Sequence, residues 1–355
     1  MKAGILVEAE KIEVTDVPMV TLQKDTEVIV KVMAIGICGT DLHVYRGERQ
    51  DVSLPRIMGH ELAGIVVRTG EKVKSLSEGD HVIFDPVVAC HTCTACKKGH
   101  ENVCESVKCF GVQMDGGFQE YISVEEDTLY KISKEVPFTT AALGEPFSIA
   151  ANIFAKSQAQ KDDYVVIIGA GTVGIAVLQV MKKIGCKVMV ADISEKKLEN
   201  AARFGADVLV NTKKESLEEK VHLAFAGNAD VVLDAVGSVT TLESAVKIAS
   251  PCGRVIVIGF DTSALKISPA DITKKELKLL GSRMNNRRFP QVVKWLEDGT
   301  ITDKMISKQY NFRELNRAFQ DTLRHQDQWL KTIIVMEDEN GNVSKRKNSS
   351  HDKNF

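Results

Sequence analysis

The sequence lacks a surplus of charge of either sign: 46 basic residues face 48 acidic ones, for a formal net charge of −2. A nucleic-acid binder needs a basic surplus to neutralise phosphates, so that class is argued against. A secretory leader is also missing, because Glu8 and Glu10 fall where its apolar core would lie. The expectation is therefore a cytoplasmic chain. One apolar run, residues 164–181, has the length of a membrane span, but it is broken by Gly169, Gly171 and Gly174. A buried strand feeding a buried helix explains the run better, so no membrane partner is expected. Internal repeats are absent as well.

What is present is ordinary for a folded protein. Hydrophobic residues make up 44% and charged residues 26% of 355 positions. That length exceeds a single hydrophobic core and predicts two domains. Eight cysteines without a leader point to thiols or metal ligands rather than disulfides.

Periodicity divides the chain. Short β-rich runs at 164–168, 187–191, 207–210, 230–234, 254–258 and 277–280 alternate with helical ones such as 171–184, 195–204 and 242–249. This is the pattern of a doubly wound α/β fold built on a parallel sheet. The first 140 residues instead carry short strand candidates at 28–32, 63–67 and 81–84 with glycine-rich connections, which predicts a β-rich domain. Beyond Gly281, helical runs at 290–296 and 315–323 precede a last strand at 332–335, and this end is expected to fold back on the N-terminal domain. The predicted boundaries are 1–144, 145–282 and a return segment 283–336. The polar tail 337–355 is expected to be disordered.

Four cysteines crowd into fifteen positions as Cys90, Cys93, Cys96 and Cys104. The spacing CxxCxxC closed by a fourth cysteine can present four thiolates to one tetrahedral zinc. Lys97, Lys98 and His100 in the same loop favour the thiolate form. Four thiolates leave no open position, so this zinc would be structural. Cys109, Cys186 and Cys252 show no such spacing and are expected to be small buried residues.

The run GAGTVG follows the β-branched VVII and opens a helical segment, the setting that gives GxGxxG its meaning. Gly169 would permit the tight turn, Gly171 would admit a pyrophosphate, and Gly174 would allow close helix–strand packing. The helix start at Thr172 and Val173 would present free amides to the phosphates. Asp192 ends the next strand, where a carboxylate accepts ribose hydroxyls and repels a 2′-phosphate. NAD rather than NADP is the expected cofactor. A helix cap is the other reading of Asp192, although Ser194 suits that role better.

Cys38, His60, Glu61 and Glu145 each have an unremarkable reading taken alone. Their settings change that. The run GHELAGIVVRTGEKV (residues 59–73) resembles the zinc signature of the medium-chain alcohol dehydrogenases, with Gly64, Gly70 and Val73 at the fixed positions. GICGTDLH (36–43), the cysteine lobe and GAGTVG follow in that family's order, so the resemblance spans roughly residues 1–336. The chain is most similar to the polyol branch, sorbitol and threonine dehydrogenases and their sugar-acid relatives, because Glu145 in GEPFSIA stands where the founding members have cysteine.

The resemblance implies a GroES-like β domain joined to a Rossmann domain, assembled as a homodimer or homotetramer, with two zinc ions per chain. It implies that Cys38 and His60 bind a catalytic zinc, that Glu61 does so directly or through water, and that Glu145 completes or adjoins the site. Thr40 would take the alcohol proton and His43 would pass it to solvent, unless both simply make loop hydrogen bonds. Residues 272–296 are similar to bacterial dehydrogenases of hexonates such as L-galactonate or L-gulonate; L-threonine and sorbitol or L-iditol are the alternatives. Arg283 matches an arginine that sorbitol dehydrogenases place near the substrate, and Asn285 would assist it. Arg283 could instead pair with an acid between domains, while Arg287 and Arg288 are expected to be solvated. A zinc-free reductase of the same fold would lack Cys38, His60 and Glu145. A binding protein without turnover would keep them all.

Overall fold

The structure, a computed structural model, describes residues 1–336; the tail expected to be disordered lies outside the described residues. The run VVII places Val165, Val166 and Ile167 fully inside, as β-branched residues in a sheet covered on both faces must be. That strand, Tyr164–Ile168, is the centre of a six-stranded sheet. The order across it is Val208–Asn211, Lys187–Asp192, Tyr164–Ile168, Ala229–Asp234, Ala249–Val257 and Lys278–Gly281. All neighbours are parallel. Numbered along the chain this is 3-2-1-4-5-6, the Rossmann order. The chain reverses direction across the sheet at Tyr164–Ile168 and Ala229–Asp234, so a ligand crevice belongs at the carboxyl ends of those strands.

The β-rich half is organised by one long strand, Glu27–Ile37, most of whose residues are buried. On one side it pairs antiparallel with Glu61–Thr69. Its other side is shared end to end by Tyr121–Glu125 and by Lys331–Val335. The last strand thus returns to the first domain, as expected from its sequence position. His81–Phe84 and Leu129–Ile132 extend the sheet beyond Glu61–Thr69, and Ile306–Asn311 extends it beyond Lys331–Val335.

Several elements were not anticipated, among them the strands Tyr121–Glu125 and Leu129–Ile132, the strand Ile306–Asn311, and the helix Gly144–Ser157 that links the halves. The strand Ile306–Asn311 is polar outward (ISKQYN) and buries little but Tyr310, so it carries no apolar alternation to read. The helix is buried on most sides, with Pro146 in its first turn, so it has no clean polar face. It is nevertheless central. One apolar core runs from Ala34, Ala63 and Ile83 through Phe147 and Ile153 to Val165, Ile175 and Trp295, joining both halves.

Candidate active site and metal centres

The first donor cluster follows from strand register. Gly36 lies opposite Glu61 in the pair formed by Glu27–Ile37 and Glu61–Thr69, so Cys38 and His60 leave the same sheet end side by side. One sulfur, one imidazole nitrogen and one carboxylate oxygen of Cys38, His60 and Glu61 lie within 4.8 Å of one another. Glycine is required at 36, because a Cβ there would sit 2.1 Å from Glu61 Oε2.

Behind these donors stands a residue that sequence reasoning missed. Asp41 is fully buried in the helix Gly39–Tyr45; its Oδ2 accepts from the Cys38 amide at 2.9 Å and its Oδ1 from the Gly59 amide at 3.2 Å. The same Oδ1 lies 3.5 Å from His60 Nδ1, which is buried and makes no hydrogen bond among the described residues. Burial opposes the His60 cation, but the Asp41 and Cys38 charges outweigh it and hold its pKa well above the ordinary value. Burial also raises the pKa of Asp41.

Lys331 is the second unforeseen member. Its Nζ donates to both Glu61 oxygens at 2.7 Å and to the Ile37 carbonyl at 3.2 Å, with both side chains almost fully buried. It arrives on the returning strand, 270 residues after its partner. Burial works against its charge, yet the Glu61 carboxylate raises its pKa.

Glu145 stands in the first turn of the linking helix, half-buried, outside the group of donors that converge within 4.8 Å. Burial lifts its pKa to about 7, with His60 opposing the rise and Glu61 adding to it. Sulfur, nitrogen and oxygen donors with a carboxylate behind the imidazole suit a zinc site that keeps one position open. Thr40 is half-buried in the first turn of the Gly39–Tyr45 helix, and His43 follows one turn later. His43 is exposed, with Nδ1 2.5 Å from Glu48 Oε2 and 3.3 Å from an Arg46 nitrogen.

Cys90, Cys93, Cys96 and Cys104 form the second donor group, also within 4.8 Å. Cys93 and Cys96 sulfurs are 3.5 Å apart. A tetrahedral zinc with Zn–S bonds of about 2.3 Å spaces its sulfurs by roughly 3.8 Å, so the set fits. Thr92, through its hydroxyl and amide, and the Cys93 amide pull the Cys90 thiol down to about 5. Burial pushes Cys96 up to about 12, a proton that a metal would displace. Of the other cysteines, Cys109 and Cys186 are buried as expected. Cys252 is not: it sits exposed at φ +60° in the strand Ala249–Val257, where the register with Ala229–Asp234 shifts.

The glycine turn behaves as its motif suggests. Gly169 adopts φ +105°, a Cβ on Gly171 would meet nothing within 4 Å, and a Cβ on Gly174 would lie 2.0 Å from the Gly169 carbonyl. Asp192 accepts from the Ala170 amide at 2.8 Å and the Ser194 amide at 2.9 Å, so it ties the turn to the strand end. The Thr172 hydroxyl donates to the Leu330 carbonyl at 2.6 Å. Val173 beside it is half-buried. A cleft of about 210 Å³, lined by Gly39, Leu42, Gly171, Thr172 and Lys331, runs from this turn to the neighbours of Cys38 and to Lys331, the partner of Glu61.

Arg283 and Asn285 divide. The Arg283 side chain is exposed, with no hydrogen bond or ion pair among the described residues, so the acid partner considered for it does not appear. Asn285 is buried, donates to Asp85 Oδ1 at 2.8 Å and accepts from the Arg287 amide at 3.0 Å. Arg287, expected to be solvated, forms a two-pronged pair with Glu101, one arm at 2.6 Å. Arg288 is half-buried, with its Nε lacking a partner among the described residues.

Known proteins agree with this architecture. Residues 24–134 match the alcohol dehydrogenase GroES-like domain, and residues 172–298 match the zinc-binding dehydrogenase family. The chain is 32% identical over 314 residues to L-galactonate-5-dehydrogenase of Escherichia coli, covering 88% of this chain and 92% of that one. It is 37% identical over 305 residues to L-threonine 3-dehydrogenase of Pyrococcus furiosus, covering 83% and 87%. The crystal structure of an alcohol dehydrogenase (RspB) of Escherichia coli, complexed with the cofactor NADH, matches with a TM-score of 0.89 at 34% identity, covering 94% of this chain and 99% of that one. The fold and the donor sets define a zinc-type dehydrogenase. The chain belongs to the zinc-binding alcohol dehydrogenase family and is an oxidoreductase of the polyol, sugar-acid and threonine dehydrogenase group.

Proposed function

We propose that this chain oxidises a secondary alcohol of a sugar acid or polyol to the ketone, with NAD as acceptor and a hexonate such as L-galactonate or L-gulonate as substrate. The observation that carries this reading is the convergence of Cys38, His60 and Glu61 next to a cleft that runs from Gly39 and Lys331 to the glycine turn. Zinc, when bound, acidifies a substrate hydroxyl, and the nicotinamide accepts the hydride.

The protein's own residues do the rest. Cys38 and His60 hold the metal, with Asp41 fixing the imidazole. Glu61, held by Lys331, and Glu145, at the start of the linking helix with its pKa raised to about 7 by burial, would complete or adjoin the metal site. Thr40 takes the alcohol proton and His43, exposed one turn on, hands it to solvent. Gly169, Gly171, Gly174 and the Thr172 and Val173 amides receive the pyrophosphate. Each Asp192 oxygen accepts one amide and retains a lone pair for a ribose hydroxyl. Arg283, planar and free, pairs with the substrate carboxylate. The chain works as a homodimer or homotetramer in the cytoplasm. Among the described residues no helix is long and apolar enough to cross a membrane.

L-threonine is the second reading, favoured by the identity to the Pyrococcus furiosus enzyme. A panel of L-galactonate, L-gulonate, sorbitol and L-threonine, followed by NAD reduction before and after chelation, separates the readings. The hexonates should give the highest kcat/KM, with turnover lost on chelation. A higher value for L-threonine overturns the substrate assignment, and turnover that survives full removal of zinc overturns the chemistry. NAD should be preferred to NADP by at least about a hundredfold in kcat/KM, given the repulsion between Asp192 and a 2′-phosphate at short range.

A further inference from the structure

The loop after the last Rossmann strand is held in place by contacts from the cysteine lobe, the linking helix and Asp85. Met284, Asn286 and Arg287 take φ of +50°, +48° and +60°, left-handed conformations that non-glycine residues hold only when their surroundings impose them. The imposing contacts are specific. Asn102, buried, donates through Nδ2 to the Arg283 carbonyl at 2.7 Å. Glu101 takes both arms of Arg287. Asn152 of the linking helix reaches the Arg283 carbonyl at 3.3 Å and the Met284 carbonyl at 2.9 Å. Asn285 is anchored on Asp85.

Glu101 and Asn102 lie in the single 3-10 turn Glu101–Val103, between Cys96 and Cys104. Their position is therefore fixed by the gathering of the four thiols. The lobe is joined to the backbone at Arg283, whose own side chain is exposed and unpaired among the described residues.

We infer that the four-cysteine lobe is a specificity element: Asn102 and Glu101 are positioning residues that set the backbone from which Arg283 reaches the substrate. The inference rests on the reading of Arg283 as the substrate-binding arginine. In this arrangement the metal of the lobe acts on substrate recognition through two hydrogen-bonded links rather than on stability alone.

The test compares Asn102→Ala, Arg283→Ala and the double variant, each in the zinc-loaded enzyme with the best substrate of the panel and with a short secondary alcohol. Asn102→Ala should raise KM for the panel substrate about tenfold, leave kcat within about twofold, and leave the KM of the short alcohol unchanged. Zinc content and NADH affinity should match the parent. In the double variant KM should equal that of Arg283→Ala, since both act through one guanidinium. Multiplying effects, or equal KM changes for both alcohols, overturn the inference. Glu101→Gln, at a more exposed pair, should move KM in the same direction by about threefold and serves if Asn102→Ala does not fold. If Arg283→Ala changes no KM, the substrate role of Arg283 fails. Amide hydrogen exchange over residues 282–288 then decides the rest. Faster exchange in Asn102→Ala supports the lobe's hold on the loop, and unchanged exchange overturns it.

Discussion

Lys331 and Asp41 acquire their importance only when the chain is folded. A lysine in TIIV-type strand sequence reads as a strand end, and an aspartate in a GTDLH turn reads as a helix cap. Neither reading contains the carboxylate or imidazole that each one meets across the sheet. The donor cluster itself was legible, because Cys38, His60 and Glu61 sit in runs that resemble the family's motifs. Lys331→Met should leave Glu61 buried without a counter-charge, at a cost of about 3–5 kcal/mol in urea unfolding. Adding Glu61→Gln should recover most of that loss, because the pair is then replaced by neutral groups. A single variant as stable as the parent would show that Glu61 finds another partner. Asp85 offers a pH signature of the same kind. Burial raises its pKa from 3.8 to about 6, against the Val87 amide and Asn285. A carboxyl with a raised folded-state pKa contributes stability that is complete below its unfolded value and is lost as pH rises through the folded one. Relative to Asp85→Asn, the parent should therefore lose up to about 3 kcal/mol between pH 4 and 7. A constant difference across that range, followed by urea unfolding at each pH, would place Asp85 in water.

Among the elements, strands announced themselves more clearly than their connections. All six strands of the parallel sheet were found within a few residues, because each is a short apolar run, most of them β-branched. The linking helix Gly144–Ser157 was missed because a helix buried all round shows no period. The strand Ile306–Asn311 was missed because an edge strand shows little apolar alternation. The glycine turn gives a contrast internal to one element. Gly174→Ala drives a Cβ to 2.0 Å from the Gly169 carbonyl, so helix and strand must part. It should cost about 1–3 kcal/mol in stability and weaken NADH binding together. Gly171→Ala places its Cβ in open space, so it should leave the melting temperature within a degree or two while NADH affinity falls about tenfold. Fluorescence titration beside thermal unfolding reads both. Should Gly171→Ala bind NADH as the parent does, the pyrophosphate does not pass over that residue.

For the whole molecule, the two donor groups lie in one half of the chain but act on different things, and metal stoichiometry separates them. The parent should hold two zinc ions, one for each group. His60→Ala removes the only imidazole from the Cys38 cluster. Its partners Glu61 and Lys331 still neutralise each other, so the fold should persist, NADH should bind as before, and only one zinc and turnover should be lost. Cys93→Ser acts through architecture. Three thiols cannot complete the tetrahedral set, and Glu101 and Asn102 then lose the turn that holds residues 283–287. Structural zinc in small peptides is worth about 10–16 kcal/mol of apparent binding free energy. In a domain with its own apolar core only part of that should appear, as a clear drop in unfolding midpoint with one zinc retained. Metal analysis and urea unfolding on the same preparations decide it. A fully active parent with a single zinc, or Cys93→Ser with unaltered stability, would mean that the lobe holds its shape without metal.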